Sequence, residues 1–282
     1  MAEPPIETNS SDIPEDQTEE ERELDSYTTF YLDTILDSLG TDLTKITDPE
    51  LSKSIYDKLL ASARALAEDR IRKDNELKAL AEHDQLTELL NRRGFLKRFD
   101  EKLDTYGRGK YQLEHPEAHG RTRIIDTTTP GPFIMIDLVD FKAVNDKYGH
   151  PLGDEVLKSV AEALRTSLRP NDLVARIGGD EFGVFLEGET RKDGLDALKR
   201  LQAAIASSTR TQNGIELGAS FGLAMLPEHL NSDQLANTYF RSSLFESVYG
   251  EADKALYHSK SQPDKNTISY RADSGELQIY KP

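Results

Sequence analysis

The spacing of apolar and polar positions divides the chain into stretches of different character. Residues 1–25 contain almost no large apolar side chains and are rich in Glu, Asp, Pro, Ser and Thr. This composition cannot offset the entropy of ordering the backbone, so it predicts a disordered acidic tail. Apolar residues at helical spacing then precede Gly40: Tyr27, Phe30, Tyr31, Ile35 and Leu36. They predict a short amphipathic helix that the glycine ends.

A longer helix is predicted from about Asp48 and Pro49 to about His83. Beyond the proline this stretch holds no Gly or Pro, and it is dense in Ala, Leu, Lys and Glu. Five apolar residues share an alternating three-four register, which Arg70 and Lys73 interrupt: Leu59, Ala63, Leu66, Leu77 and Leu80. Two interpretations stay open, a helix packed on its own domain and a weak parallel coiled coil that pairs two chains.

The rest of the chain alternates between helical and strand patterns. The predicted helices lie near residues 85–105, 152–168, 195–206 and 252–260, with a polar loop over 106–131. The predicted strands lie near residues 132–139, 173–177, 182–186 and 215–225. Gly178 and Gly179 join the second and third strands, as expected of a hairpin. This alternation predicts a mixed α/β layer architecture.

Composition narrows the classes of function. The chain has 282 residues, 37% of them hydrophobic and 30% charged, which suits one globular domain with an exposed extension. A formal charge of −16 argues against a nucleic-acid partner. Cysteine is absent, which excludes disulfides and thiolate chemistry. Because we find no secretory signal and no apolar run near the roughly 18 residues of a membrane span, we expect a cytoplasmic protein without a membrane partner.

Two acidic clusters lie beside apolar strands and carry the candidate chemistry. Asp137 ends the run Phe-Ile-Met-Ile-Asp, while Asp180 and Glu181 follow two glycines in the predicted hairpin turn. If the hairpin lies beside the Asp137 strand, these carboxylates converge and repel one another unless a cation separates them. The arrangement favours magnesium and triphosphate chemistry. A plain hairpin turn is the alternative interpretation of the Gly-Gly-Asp-Glu sequence alone.

Short motifs occur in a fixed order between Asp84 and Asn266. They are DQLTELLNRRGF from Asp84, DLVDFK from Asp137, NDKYGH from Asn145, Gly153-Asp154, RIGGDEF from Arg176, ASFGLA from Ala219 and ADKALY from Ala252. In this order and spacing the sequence resembles the GGDEF family of diguanylate cyclases. The resemblance implies a palm-like α+β domain of the ferredoxin and cyclase type, with a central, mostly antiparallel sheet and flanking helices. We expect a tail over 1–25, a helical region over 26–83 and the GGDEF domain over 84–282.

The resemblance also assigns roles to individual residues. The magnesium ligands are expected to be Asp137, the carbonyl of Leu138 and Asp180, with manganese as the alternative ion. Asp180, Glu181 and Lys142 are the expected catalytic residues. Asn145 and Asp154 are expected to read guanine, since a carboxylate can accept the N1 and N2 hydrogens that adenine lacks. The remaining substrate-binding residues implied by the resemblance are Phe141, His150, Lys260 and Lys265.

The implied reaction joins two GTP molecules into cyclic di-GMP and releases two pyrophosphates. Each domain binds one GTP, so a homodimer is expected, with the helix before the domain setting the approach of the two sites. Arg169-Pro-Asn-Asp172 stands where the family has an RxxD product-inhibition site, and arginine suits cyclic dinucleotide phosphates. The alternative is that Arg169 and Asp172 cap a helix and form a local ion pair.

Three departures from the family pattern qualify the resemblance. Val139 replaces a common acidic residue, Glu88 stands where glycine is usual, and the segment 261–266 distorts the usual Gly-Arg-Asn ending. The second phosphate-binding cation would then be Lys265, which lacks arginine's fork. Three other functions stay open: a catalytically weak cyclic di-GMP receptor, a cyclase making a mixed or adenine dinucleotide, and a coiled-coil adaptor.

Overall fold

The computed structural model describes residues 18–39, 48–115, 131–188, 190–213, 215, 217–227 and 229–280. Contacts along the backbone divide the chain into two compact units, Met1–Leu80 and Ala81–Pro282. None of the helices in these described ranges combines the length and the apolar character needed to cross a lipid bilayer.

The first helix of the first unit begins earlier than predicted. Helix α1 covers Glu19–Leu39. Thr18 Oγ1 accepts a hydrogen bond from the Glu21 amide at 3.3 Å, and Glu21 Oε2 accepts one from the Thr18 amide at 2.9 Å. This reciprocal cap starts the helix inside the segment predicted to be disordered, so that prediction is wrong from Glu19 onward. Residues 1–17 lie outside the described residues.

The long second helix is confirmed. Helix α2 covers Pro49–Glu82, and Asp48 Oδ1 caps its first turn by accepting the amides of Glu50 and Leu51 at 3.0 and 3.3 Å. Ala63 and Ala67 of this helix are buried. The predicted seam residues Leu66, Leu77 and Leu80 are 47%, 63% and 60% exposed, so they form an apolar stripe that no contact within this unit covers.

A seven-stranded sheet forms the centre of the second unit. Its strands are β1 Leu90–Asn91, β2 Pro132–Leu138, β3 Leu173–Gly178, β4 Glu181–Phe185, β5 Ala219–Met225, β6 Ile268–Arg271 and β7 Leu277–Ile279. They lie in the order β1-β3-β4-β2-β5-β6-β7. The pairs β1–β3 and β5–β6 are parallel and the other four pairs are antiparallel, which confirms the mostly antiparallel sheet.

Six further helices accompany the sheet. They are α3 Arg92–Glu114, α4 Phe141–Tyr148, α5 His150–Ser167, α6 Arg191–Asn213, α7 Ser232–Ala236 and α8 Thr238–Lys260. Strand β2 shows how the two cores form: Ile134 and Ile136 face the cluster that contains α5 and α6, while Phe133 and Met135 face the cluster that contains α3 and α8. Successive side chains of β2 point to opposite faces of the sheet and are apolar on both, so both faces of this strand are buried.

The helix predicted over residues 85–105 is wrong at both ends. Asp84 Oδ1 accepts hydrogen bonds from the amide and hydroxyl of Thr87 at 2.9 and 2.7 Å, which folds a turn instead. Glu88, where the family has glycine, adopts a left-handed φ of 60° in this turn. Helix α3 starts only after Asn91, whose side chain accepts the Gly94 amide at 2.9 Å.

The far end of α3 also extends into the predicted loop. Gly107 and Gly109 are buried within the helix, and a Cβ at Gly107 would lie 2.7 Å from the Cβ of Leu235 in α7. Glycine here permits close packing between helices, which overrides its weak helix propensity. The loop prediction for 106–131 is therefore wrong as far as Glu114, and residues 116–130 lie outside the described residues.

The other predicted elements are confirmed with shifted ends. Strand β2, the β3–β4 hairpin and helix α5 lie close to their predicted positions, whereas α6 and α8 are longer and β5 starts later, at Ala219. The short elements β1, α4, α7, β6 and β7 were not predicted. Helix α4 follows Asp137 in the chain and contains the predicted site residue Asn145.

Candidate active site

Strand pairing brings the acidic residues together. Strands β2 and β4 are antiparallel neighbours, and Asp137 lies directly opposite Glu181. Asp180 occupies the turn before β4, and its carbonyl accepts a hydrogen bond from the Leu138 amide at 3.4 Å. The expectation that the hairpin lies beside the Asp137 strand is confirmed. Carboxylates from two strands therefore meet at one end of the sheet.

An arginine braces the glycine turn that carries Asp180. Arg176 Nε donates to the Gly179 carbonyl at 2.9 Å, and Arg176 Nη1 donates to Asp84 Oδ1 at 3.1 Å. Burial alone would raise the pKa of Asp84, but hydrogen bonds from Thr87 and then Arg176 outweigh it and hold that pKa below its usual value. Gly179 has a left-handed φ of 38°, so the turn depends on its backbone freedom.

Lys260 lies among these carboxylates. It is the last residue of α8, and its Nζ lies 2.7 Å from Asp137 Oδ2, whose side chain is only 15% exposed. Burial raises the pKa of Asp137, the nearby charge of Asp180 raises it further, and Lys260 opposes both effects. Burial likewise raises the pKa of Glu181, again opposed by Lys260 and reinforced by Asp137 and Asp180. The site holds more negative charge than its own groups neutralise.

The atoms at this end of the sheet that we expect to bind a metal ion are carboxylate and carbonyl oxygens. Within the described residues, no three Asp, Glu, His or Cys side chains lie close enough together to enclose a metal ion. The two-carboxylate set predicted from the sequence, Asp137 and Asp180 with the Leu138 carbonyl, does not require such a trio. Oxygen ligands and partial burial suit a hard divalent cation, and the Lys260 ammonium lies 2.7 Å from one of these oxygens, Asp137 Oδ2.

A second lysine–carboxylate pair lies beside the first. Lys265 Nζ donates to Asp140 Oδ1 at 3.0 Å, where Asp140 precedes α4 with a left-handed φ of 55°. The chain at Lys265 and Asn266 is fixed to strand β5, because the Ser220 hydroxyl donates to the Lys265 carbonyl and Asn266 Oδ1 accepts the Ala219 amide at 2.9 Å. The altered ending at 261–266 therefore still presents a lysine near the β2–α4 loop.

The predicted guanine readers lie where α4 meets α5. A Cβ at Gly153 would lie 1.9 Å from Asn145 Oδ1, so Gly153 leaves room for the Asn145 side chain. Asp154 follows on α5 and is exposed, as is His150 at the start of that helix. The predicted catalytic residue Lys142 is exposed on α4, and the predicted substrate-binding residue Phe141 is buried. These residues follow Asp137 within two adjoining helices.

The predicted inhibitory pair lies at the opposite end of the β3–β4 hairpin from the glycine turn. Strand β3 separates Asp172 from Gly178, a length of about 20 Å at the usual rise per residue. Asp172 Oδ2 accepts the Arg169 amide at 2.9 Å, and Asp172 Oδ1 accepts the Glu187 amide at 3.1 Å. Asp172 therefore has a structural role in the turn, while the Arg169 side chain is exposed.

Three contacts at this site were not predicted from the sequence. Asp84 and Arg176 belong to two of the motifs and had no predicted role, although opposite charges would allow them to pair. The contact of Lys260 with Asp137 was also missed, because a separation of 123 residues leaves no local pattern. Asp140, the partner of Lys265, had no sequence signal beyond its charge.

Comparison with known proteins agrees with this geometry. The family model described as "Diguanylate cyclase, GGDEF domain" matches residues 119–266. The chain is 31% identical over 206 residues to MucR of Pseudomonas aeruginosa, named a bifunctional diguanylate cyclase/cyclic di-GMP phosphodiesterase, covering 73% of this chain and 26% of MucR. It is 36% identical over 127 residues to the diguanylate cyclase DgcS of Shewanella oneidensis, covering 45% of this chain and 38% of DgcS.

A solved structure shares the fold. The coiled coil and GGDEF domain of DgcB from Caulobacter crescentus, in complex with c-di-GMP, superimposes with a TM-score of 0.55 at 23% identity, covering 76% of this chain and 98% of that one. The chain spans well under half the length of MucR and of DgcS. The family match nevertheless covers more than half of this chain, and the strand pairing places the signature residues together. This chain belongs to the GGDEF family.

Proposed function

We propose that the chain is a diguanylate cyclase that condenses two GTP into cyclic di-GMP and two pyrophosphates. The observation that carries the proposal is the convergence of Asp137 and Glu181 on paired strands, beside Asp180 and Lys260. First the 3′-hydroxyl of one GTP attacks the α-phosphorus of the second, and one pyrophosphate leaves. The 3′-hydroxyl of the second nucleotide then attacks the α-phosphorus of the first, which closes the ring and releases the second pyrophosphate. The names of the relatives support this reaction class.

Magnesium is the proposed cofactor, with manganese as an alternative. Asp137, the Leu138 carbonyl and Asp180 would hold it, because they offer oxygen donors and excess negative charge. The ion would neutralise triphosphate charge and lower the cost of approach between substrate and carboxylates. Glu181 adds acidic character at the same turn, and its raised pKa reflects burial next to Asp137 and Asp180.

Substrate contacts are proposed along β2, α4 and the end of α8. Phe141 offers its backbone near the phosphates, and Lys142 stabilises developing phosphoryl charge. Lys260 and Lys265 also bind the triphosphate, and His150 contacts the substrate near the start of α5. Each lysine supplies charge without the fixed fork of an arginine, so the triphosphate orientation depends on several contacts together.

Two copies of the chain are proposed to act together, because one site binds one GTP. The exposed stripe of Leu66, Leu77 and Leu80 on α2 is the proposed pairing surface, since apolar side chains at this spacing gain from burial against a second helix. We keep the domain boundaries proposed from the sequence, with one change. The helical region starts at Glu19, the first residue of α1.

Guanine selectivity is proposed to depend on Asn145 and Asp154. Replacing Asp154 with alanine is expected to weaken GTP binding by about 1–3 kcal/mol, because guanine N1 and N2 hydrogens lose their acceptor. The GTP to ATP preference should fall, as measured by competition binding. Glu155→Ala removes the same charge from the next exposed position of α5 and should leave the preference intact. An unchanged preference in Asp154→Ala would reassign base reading to other residues.

Product inhibition is proposed at Arg169 and Asp172. Arg169→Ala should raise the plateau of product formation with little change in initial rate, because inhibition acts only after product accumulates. Arg169 is the cleaner position to change, since Asp172 also accepts two backbone amides. Arg165→Ala, an exposed arginine earlier on α5, serves as the matched control. Full progress curves with and without added cyclic di-GMP test this, and equal inhibition of variant and parent would contradict it.

The proposed reaction is tested by incubating the purified chain with magnesium and GTP, ATP or both. Chromatographic separation should show cyclic di-GMP from GTP and no dinucleotide from ATP alone. A mixed dinucleotide would indicate altered base choice. A chain that binds cyclic di-GMP but forms none would indicate the receptor function instead.

A further inference from the structure

Lys260 lies beside the acidic residues of the candidate site, where a positive charge offsets their mutual repulsion. Its Nζ lies 2.7 Å from Asp137 Oδ2, and its charge also lowers the pKa of Glu181. The Asp137 side chain is 15% exposed, so water solvates this carboxylate poorly. An ammonium group has three donors and no acceptor, which fits it to a cluster of carboxylates.

The segment that carries Lys260 is anchored independently of this ion pair. Ser259 Oγ donates to the Phe221 carbonyl at 2.8 Å, and the Thr267 hydroxyl donates to the Ser259 carbonyl at 3.2 Å. The residue immediately before Lys260 is therefore fixed both to strand β5 and to Thr267. The lysine side chain itself is 36% exposed and flexible enough to change partners without moving the helix.

Resting on the proposed function, we propose that Lys260 is a stand-in cation that competes with the divalent ion for Asp137. Without nucleotide, the ammonium holds the carboxylate and keeps the affinity for the ion alone low. When the ion arrives with a triphosphate, Lys260 exchanges Asp137 for phosphate oxygens. The ion and the nucleotide therefore bind together rather than in sequence.

If Lys260 exchanges partners in this way, replacing it should strengthen binding of the metal ion alone and weaken binding of the nucleotide. Lys260→Met removes the competing charge while keeping a side chain of similar length. It should tighten binding of Mn²⁺ alone by about tenfold, because a unit charge so close to Asp137 is a large electrostatic contribution. The same variant should weaken binding of a GTP analogue with a non-cleavable α,β-bridge in the presence of Mn²⁺, because a phosphate contact is lost.

The experiment titrates Mn²⁺ into the full chain and follows the free ion by electron paramagnetic resonance, with and without the analogue. Lys254→Met is the matched control, since it removes the same charge from an exposed position of α8 where the partner is Glu251. Lys260→Arg keeps the charge and should bind Mn²⁺ alone as weakly as the parent chain. Thermal melts of each variant confirm that the fold is retained.

Tighter Mn²⁺ binding by Lys260→Met, with parent-like binding by Lys254→Met, supports the proposal. Equal or weaker Mn²⁺ binding by Lys260→Met, or no binding by any variant, overturns it. Unchanged binding of the analogue overturns the transfer to phosphate. Because the titrations need no turnover, a chain that makes no cyclic di-GMP would refute the proposed function while leaving the competition measurable.

Discussion

Replacing Asp180 with alanine is expected to reduce turnover to background, at least about a thousandfold below the parent chain, the upper range for loss of one preorganised electrostatic group. The half-buried side chain is a proposed metal ligand, and the two glycines before it in the turn are exposed. Its backbone carbonyl, which accepts the Leu138 amide, is unaffected by the substitution. Pyrophosphate release measured beside a thermal melt should show lost activity with a retained fold.

A matched variant separates the metal role from a general loss of charge. Asp253 is an exposed carboxylate of α8 whose charge reaches Glu181, and it has no proposed ligand role. Asp253→Ala should retain most of the turnover. Parent-like activity in Asp180→Ala, or catalysis that persists in excess chelator, would contradict the metal mechanism.

Replacing Gly222 with alanine is expected to destabilise the second unit by about 3 kcal/mol or more, the upper range for overpacking a buried site. Gly222 lies in the centre of β5, where α8 crosses the sheet. A Cβ there would lie 2.1 Å from the Ala252 carbonyl oxygen and 2.3 Å from the Leu256 nitrogen. Both are backbone atoms, so the whole helix must move, and it carries Lys260 at its end.

Gly250 provides the contrast within the same helix. An added Cβ at Gly250 meets no atom within 4 Å. Gly250→Ala should therefore stabilise the chain by about 0.5–1 kcal/mol, the usual gain from alanine in a helix interior. Urea unfolding followed by far-ultraviolet circular dichroism measures both variants. Similar urea midpoints of unfolding for Gly222→Ala and the parent chain would show that α8 leaves room for a methyl group at Gly222 of β5.

The local parts of the site could be predicted from the sequence because their signals are local. The apolar run ending at Asp137 gave β2, and the paired glycines gave the β3–β4 turn with Asp180 and Glu181. A period of two with turn residues at fixed offsets needs no tertiary information. The order of the motifs then indicated the GGDEF family, and the family resemblance predicted the mostly antiparallel sheet.

The features that failed depend on contacts between distant segments. Gly107 fell within the predicted loop over 106–131, yet it permits α3 to pack closely against Leu235. The helix propensity of residues 85–91 favoured an early start for α3. The hydrogen bonds from Thr87 to the Asp84 side chain instead fold these residues into a turn, so α3 starts later. The Lys260–Asp137 pair joins the end of α8 to β2 and required the folded sheet.

A time course of the purified chain with GTP and magnesium, with cyclic di-GMP and pyrophosphate quantified in the same samples, tests the proposed cyclase reaction. Two pyrophosphates are expected for each cyclic di-GMP, with no product from Asp180→Ala. Absence of cyclic di-GMP at high protein concentration, where two copies can pair, would contradict the cyclase function.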